Sequence, residues 1–322
     1  MKHIKSILNS LNIELKYQYF SYIILILFLA ILSFSLFNLF IQMSNTKENY
    51  DLFLRTIKEY KELGIDINEA LNTPVDIEKS ETGNEGKAEV VSNILRFDYD
   101  NVALSLNNMQ PERIVTHTLE WLTFLFFPFI FTVYGIYIAT YDTKYKTIKV
   151  KAVKKNWNQI LLSKQLSIYM ISTCIIAVVL ILNYIVGTIL YNHISQKIPV
   201  EEFQLSSLPE DNNVVLQVLL SLFICFFFST LGFYLGILFK GFIAPTIIFL
   251  VYNFIVPVLT KFDLRNMVSI LGHEVFDFHS SFKLFEPIQM PTHLALISLI
   301  VFLILSSIIS YLIAKKQSKF VV

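Results

Sequence analysis

Asp142-Thr143-Lys144-Tyr145-Lys146-Thr147-Ile148-Lys149-Val150-Lys151-Ala152-Val153-Lys154-Lys155-Asn156-Trp157-Asn158-Gln159-Ile160-Leu161-Leu162-Ser163-Lys164-Gln165 separates two long apolar runs, Trp121 to Tyr141 and Leu166 to Tyr191. It carries seven lysines and a single acid, Asp142, whereas neither flanking run contains Asp, Glu, Lys, Arg or His. A helix crosses the roughly 30 Å hydrocarbon core in about 20 residues, and a charge at its centre costs about 2.5 to 3.5 kcal/mol on insertion scales. The two runs are therefore predicted to be membrane spans. The lysines between them place the loop on the cytoplasmic side, because short loops rich in Lys and Arg are retained there.

Working outward, four further runs have the same character: Phe20 to Met43, Val214 to Phe239, Phe242 to Leu259 and Leu294 to Ala314. The fifth in chain order is the shortest, with Pro245 and Pro257 near its ends, and is the weakest as a span. An apolar share of 54 %, a charged share of 16 % and a mean hydropathy of +0.57 exclude an ordinary water-soluble domain. The net charge of +1 hides a segregation. Lys2, Lys5, Lys16, Lys240, Lys315, Lys316 and Lys319 join the loop lysines on one side. The carboxylates, Glu14 and Asp142 excepted, lie on the other side or at its boundary.

The predicted fold is all-α, a polytopic membrane protein with six spans at 20–43, 119–141, 166–192, 214–239, 241–259 and 294–314, both termini cytoplasmic. Residues 1–19 place Ile4, Ile7, Leu8, Leu11 and Leu15 on one helical face and read as an amphipathic helix lying on the inner membrane surface. The first run starts after a polar lead and has no small-x-small cleavage site, so it is expected to stay as a helix. Residues 44–118 form an extracytoplasmic segment with one amphipathic helix ending at Gly64 and a second over Ala88 to Leu106, around a flexible tip at Asp76 to Lys87. Structural lid and ligand-binding surface are equally open readings of it. Residues 193–213 and 260–293 are outer segments, and 315–322 a cytoplasmic tail.

Candidate chemistry is sparse. Gly83-Asn84-Glu85-Gly86-Lys87-Ala88 has the wrong spacing for a phosphate-cradling P-loop. His273 and His279 are six residues apart, about 240° around a helix, so they do not share the face a zinc site needs. Cys174 and Cys225 fall inside spans, which excludes a disulfide framework. No catalytic, cofactor-binding or metal residues are assigned, and no nucleic-acid partner. Asn38, Asn183, Gln217, Thr246 and Asn253 are the neutral polar residues within spans that line a pathway or bond between helices. With no ionisable group in any of the six apolar runs, ion-coupled transport lacks a binding residue. A driving force borrowed from a partner fits better.

The lysine-rich stretch resembles the permeases of the ABC-2 class of ABC transporters. In that family an acidic residue after the second span precedes a Gly-Thr-Ile-Lys-like string, and an Ile-Leu-Leu-Gly-Lys-like string enters the third. The similarity is carried here by Asp142, Thr147, Ile148, Lys149, Ile160, Leu161, Leu162 and Lys164, and it departs at Lys146, Lys154 and Trp157, where glycine, proline and arginine are usual. The amphipathic lead, the span count and the tight turn at Lys240-Gly241 extend it over nearly the whole chain. The resemblance implies a bacterial plasma-membrane exporter subunit whose residues 142–165 hold a coupling helix, with Trp157, Ile160 and Leu161 as its apolar contacts. It implies two separate ATPase subunits that bind ATP and Mg, and a second permease, itself or a sister. The outer segment 260–293 would then dip back into the membrane through short helices at Asp263 to Leu271 and Ser280 to Phe285. Phe-, Leu- and Ile-rich spans suit an amphipathic or hydrophobic cargo such as a peptide, antibiotic or lipid-like molecule. The lysines also suit anionic lipid at the inner surface, at roughly 1 kcal/mol each. A membrane sensor or regulatory subunit that detects a ligand through its outer segment is the alternative class, and an intramembrane enzyme the weaker one.

Overall fold

The computed structural model describes residues 2–75, 77–80, 88–145, 147, 157–205, 213–278 and 282–318. They are helical almost throughout. Among the described residues five helices are long and apolar enough to cross a membrane, which makes the chain a multi-pass membrane protein.

Helix α1 (Lys2–Phe20) turns through the left-handed Tyr22, φ 59°, into α2 (Ile23–Glu62). No Gly or Pro interrupts residues 20–63, so α2 runs on past the first apolar run, 40 residues and about 60 Å in all, and stops only before Gly64, φ 73°. The end of the apolar run is therefore not the end of the helix.

Above it sits a small cap. Helix α3 (Ile67–Asn72) is followed by a two-stranded antiparallel hairpin, β1 (Ile77–Ser80) with β2 (Ala88–Val91), and then by α4 (Ile94–Asn108). The second amphipathic helix expected from Ala88 thus begins six residues later. The Asn93 side chain accepts the Arg96 backbone N–H at 3.1 Å as an N-cap, and its amide donates to the Ala70 and Thr73 carbonyls. The cap has its own core of Phe53, Leu95, Val102, Leu106 and Ile198, with Phe203 set among Tyr50, Phe53 and Tyr99.

Helix α5 (Pro111–Trp121) passes through a π-helical segment, Leu122–Phe126, into α6 (Phe127–Lys144). Pro128 explains the wide turn: it has no N–H for the Phe124 carbonyl, and its ring crowds the preceding turn. Helix α7 (Trp157–Ser195) returns, followed by α8 (Val214–Phe239), α9 (Ile243–Phe254), α10 (Leu264–Val275) and α11 (Thr292–Ser318).

The closest helix pair is α6 with α8. A Cβ added at Gly232 would sit 2.0 Å from the Thr132 carbonyl oxygen, and one at Gly135 2.1 Å from that of Ser229. Gly236 meets Ala139 in the same seam. Gly232-x-x-x-Gly236 is thus a small-residue stripe that lets two backbones touch, the device on which apolar helices rely where hydrophobic burial gives no preference for protein over lipid. Phe127, Phe131, Phe227, Phe228 and Phe233 fill the flanks and are fully buried.

Two segments differ from expectation. The inward stripe of α1 is Ser10, Leu11, Glu14 and Gln18, while Leu8 and Ile13 point outward. Ser6 donates to Gln159 at 3.3 Å and Gln18 to Ser167 at 2.6 Å, so the helix is fastened to the start of α7 through polar groups. Helix α9 has only 12 residues, about 18 Å, and is too short to cross as a regular helix.

Candidate functional site

The lysine-rich loop leaves α6 and enters α7, and its two ends are clasped together. Lys164 Nζ lies 2.8 Å from Asp142 Oδ2, with both side chains 4 % exposed, and also donates to the Ile138 carbonyl at 2.8 Å. Thr147 Oγ1 donates to Asp142 Oδ1 at 2.7 Å, and the Thr147 N–H to the Asp142 carbonyl at 3.0 Å. An ion pair taken out of water is worth having only when its remaining lone pairs and protons are also satisfied. Here a hydroxyl and a carbonyl contribute to that. Three motif residues separated by up to 22 positions, Asp142, Thr147 and Lys164, thus meet at one point.

The other motif residues divide. Ile160 is 3 % exposed and packed inside its own chain. Leu161 leans on the core formed by Leu27, Phe131, Ile168 and neighbours. Leu162 is 43 % exposed. Ile160 and Leu161 are therefore commitments to this fold, and Leu162 is the apolar residue among them turned outward. Ile148 and Lys149 lie outside the described residues, as does the side chain of Trp157.

The neutral polar residues within the apolar runs also divide. Asn38, Asn183 and Gln217 are buried and join helices: Asn38 donates to the His117 carbonyl at 3.4 Å, Asn183 to Thr118 Oγ1, and Gln217 accepts from Thr116 Oγ1 at 2.8 Å. Thr246 donates back to the carbonyl of Phe242, the N-cap of its own helix. Asn253 lines a cavity of about 300 Å³ between the π segment, α9 and α10, walled by Phe124, Pro128, Phe228, Arg265 and Phe285.

That cavity adjoins a tight corner. Asp263 caps α10 by accepting the Arg265 backbone N–H at 2.9 Å and receives the Tyr252 hydroxyl at 2.7 Å. The Arg265 guanidinium pairs with Asp263 at 2.9 Å and donates to the carbonyls of Asn253, Val256 and Pro257, left over where α9 stops. Burial alone would raise the Asp263 carboxyl, but the guanidinium, the Tyr252 hydroxyl and the backbone N–H together hold it below the ordinary carboxylate value. Of the two short helices expected in 260–293, Leu264–Val275 is a helix, whereas 282–285 is not. The latter segment is strapped along α10, with Ser269 and His273 both bonded to the Phe285 carbonyl. Among the described residues no cluster of His, Cys, Asp and Glu has a metal-site arrangement, and His279 is outside them.

Sequence reading missed one polar pair. His117 and Glu120 lie inside the continuous helix Pro111–Lys144, at 1 % and 0 % exposure, with Nδ1 to Oε2 3.2 Å. The apolar run Trp121 to Tyr141 itself holds no ionisable group; the pair stands just ahead of it in the same helix. The signal was His-x-x-Glu, one helical turn apart, just ahead of an apolar run counted only from Trp121. Comparison with known proteins yields nothing: no family model, no curated protein and no solved structure matches this chain.

Proposed function

We propose that this chain is the membrane subunit of an ATP-driven exporter of the ABC-2 kind, coupled through residues 142–165 to a separate nucleotide-binding subunit in a bacterial plasma membrane. The observation that carries the reading is the Asp142–Lys164–Thr147 clasp. A loop whose ends are free to slide dissipates a push. One whose ends are locked by a buried ion pair passes it to α6 and α7 together. The Gly232 seam then carries the movement on to α8.

In this reading there are six crossings, the fifth made by α9 with the non-helical residues that follow it. Both termini are on the inner side, and α1 is docked at the membrane surface beside α7. Two such subunits, identical or sister chains, would enclose the pathway, and two ATPase subunits would supply ATP hydrolysis. A hydrophobic or amphipathic cargo is supported by the open apolar groove of about 700 Å³ among α9, α10 and α11, lined by Leu259, Phe262, Met267, Ile297, Val301 and Leu305. One feature favours the rival sensor reading: the cap has its own core and rides on a helix that runs unbroken into the membrane.

The test is co-purification from cells that express the chain together with any nucleotide-binding protein encoded beside its gene, using wild type, a Trp157→Ala/Leu162→Ala variant and a Lys151→Glu/Lys154→Glu/Lys155→Glu variant. Retention by wild type and loss in either variant, with the membrane protein still monodisperse, supports coupling at this loop. If no nucleotide-binding protein associates with wild type, the exporter reading is abandoned for the sensor.

A further inference from the structure

The cavity of about 300 Å³ beside α10 has an apolar wall drawn from four places in the chain. Phe124 and Leu125 come from the π segment, Phe228 from α8, Phe254 from α9, and Phe282 and Leu284 from the segment strapped along α10. Its polar lining is Asn253, Arg265, Ser269 and Lys283, and no Asp or Glu takes part.

The strapped segment is pinned, so the wall it supplies is fixed. Asn266, fully buried, accepts the Ile288 backbone N–H at 2.8 Å and donates to the Ile288 carbonyl at 3.0 Å. Ser269 donates to the Phe285 carbonyl at 2.8 Å. Gly272 lets Phe124 and Leu284 close on α10: a Cβ there would stand 2.7 Å from the one and 3.0 Å from the other. The Trp121 and Phe282 rings meet edge to face at 5.9 Å.

What the cavity can hold depends on which polar groups are free. All five N–H groups of Arg265 are given to Asp263 and to the carbonyls of Asn253, Val256 and Pro257. Its charge is matched by the Asp263 carboxylate, so Arg265 is wall rather than receptor. The Ser269 hydroxyl is likewise committed. The Asn253 carboxamide and the Lys283 ammonium remain, and among the described residues neither side chain has a hydrogen-bond or ion-pair partner. Asn38 and Asn183 spend their amides on joining helices, whereas Asn253 joins none. Lys283 is exposed and carries the one unmatched charge of the lining.

We propose that this cavity binds a long-chain fatty acid, with the carboxylate on Lys283 and Asn253 and the acyl chain among the phenylalanine rings. An ammonium and a carboxamide N–H are two donors for the two oxygens of one carboxylate. The absence of acidic residues from the lining leaves that anion unopposed. Ligand pockets begin at about 300 Å³, so the space suits one chain and not a two-chain phospholipid. Phe254 and Phe285 in the wall are exposed, which leaves a way in from the lipid that dissolves such a molecule. The cavity shares no lining residue with the groove of about 700 Å³, and the site does not rest on the exporter reading.

The experiment uses the full chain in nanodiscs of zwitterionic phosphatidylcholine and a palmitate analogue with a diazirine in its chain. After illumination, labelled peptides are mapped by mass spectrometry. Saturable label is expected within 124–128, 253–254 and 282–285. Palmitate should displace it. Methyl palmitate, which lacks the charge, should not, nor should phosphatidylglycerol, which sets an anionic headgroup on two chains. Lys283→Glu and Asn253→Leu remove groups that hold nothing in the fold. Each should raise the analogue concentration for half-maximal labelling about tenfold or more, as loss of a charge-assisted hydrogen bond does, while Lys283→Arg stays near the parent value. Label that maps elsewhere, fails to saturate, is displaced equally by methyl palmitate, or is unchanged in both variants overturns the proposal. Displacement by phosphatidylglycerol and not by palmitate also overturns it, by assigning the cavity to a phospholipid tail.

Discussion

Lys164 Nζ and Asp142 Oδ2 meet at 2.8 Å beneath a loop that otherwise holds only positive charge. Removing one member leaves the other charge buried without its partner, which costs about 3 to 5 kcal/mol. Asp142→Asn or Lys164→Met alone should lower the unfolding midpoint in detergent sharply. The double variant should recover more than half of that loss, because it leaves no orphaned charge. Additive losses would mean that the two residues act separately.

The α6–α8 seam gives a steric prediction. Gly232→Ala forces a methyl to within 2.0 Å of the Thr132 carbonyl oxygen, and overpacking of this kind costs about 1 to 3 kcal/mol. Gly241→Ala, whose nearest neighbour would be 3.7 Å away, should change stability by no more than about 0.5 kcal/mol. Thermal unfolding of the two variants side by side checks the contrast.

Lys240 ends α8 in the left-handed region at φ 53°. A β-branched residue there adds strain, so Lys240→Ile should destabilise by about 1 to 2 kcal/mol. Lys240→Gly should be neutral or stabilise by up to about 1 kcal/mol, since relief of strain slightly exceeds the added freedom of the unfolded chain. Equal effects from both substitutions would exclude backbone strain as the cause.

The Asp263–Arg265 corner predicts a direction with pH. Asp263 is held below its unfolded value of about 3.9. Its contribution is therefore present at neutral pH and is lost as the pH falls through the lower, folded value. Acidification should loosen the α9–α10 junction before the rest of the chain unfolds, seen as lower amide protection, relative to the intrinsic exchange rate at each pH, at residues 253–266. In Asp263→Asn protein, protection there should already be low at neutral pH. Arg265→Lys should behave similarly at neutral pH, because an ammonium cannot reach Asp263 and three carbonyls at once.

Long apolar runs made the membrane class legible, since twenty or more such residues have few other ways to be solvated. What followed each run was harder to read. Polar residues from Ser44 onward end the hydropathy signal without ending α2, because nothing in 44–62 breaks a helix. Glu89-Val90-Val91 fits helix or strand, and only the Asn93 cap separates it from α4. Ile160 and Leu161 looked like spare apolar surface in a polar loop, yet the first turn of α7 turns Ile160 into the core. The meeting of Asp142 with Lys164, the backbone contact at Gly232 and the burial of His117 with Glu120 all depend on which helix faces which. One chain's pattern of types does not encode that directly.

The brevity of α9 has a consequence for the lipid around it. If the fifth crossing is made there as proposed, a helix about 18 Å long meets hydrocarbon about 30 Å thick. The adjoining leaflets must thin, or headgroups and water must sink toward Thr260 and Asp263. In the proposed exporter, acyl chains along that flank would pack less regularly, and a molecule with a greasy body and a polar head would find its lowest barrier between leaflet and protein there.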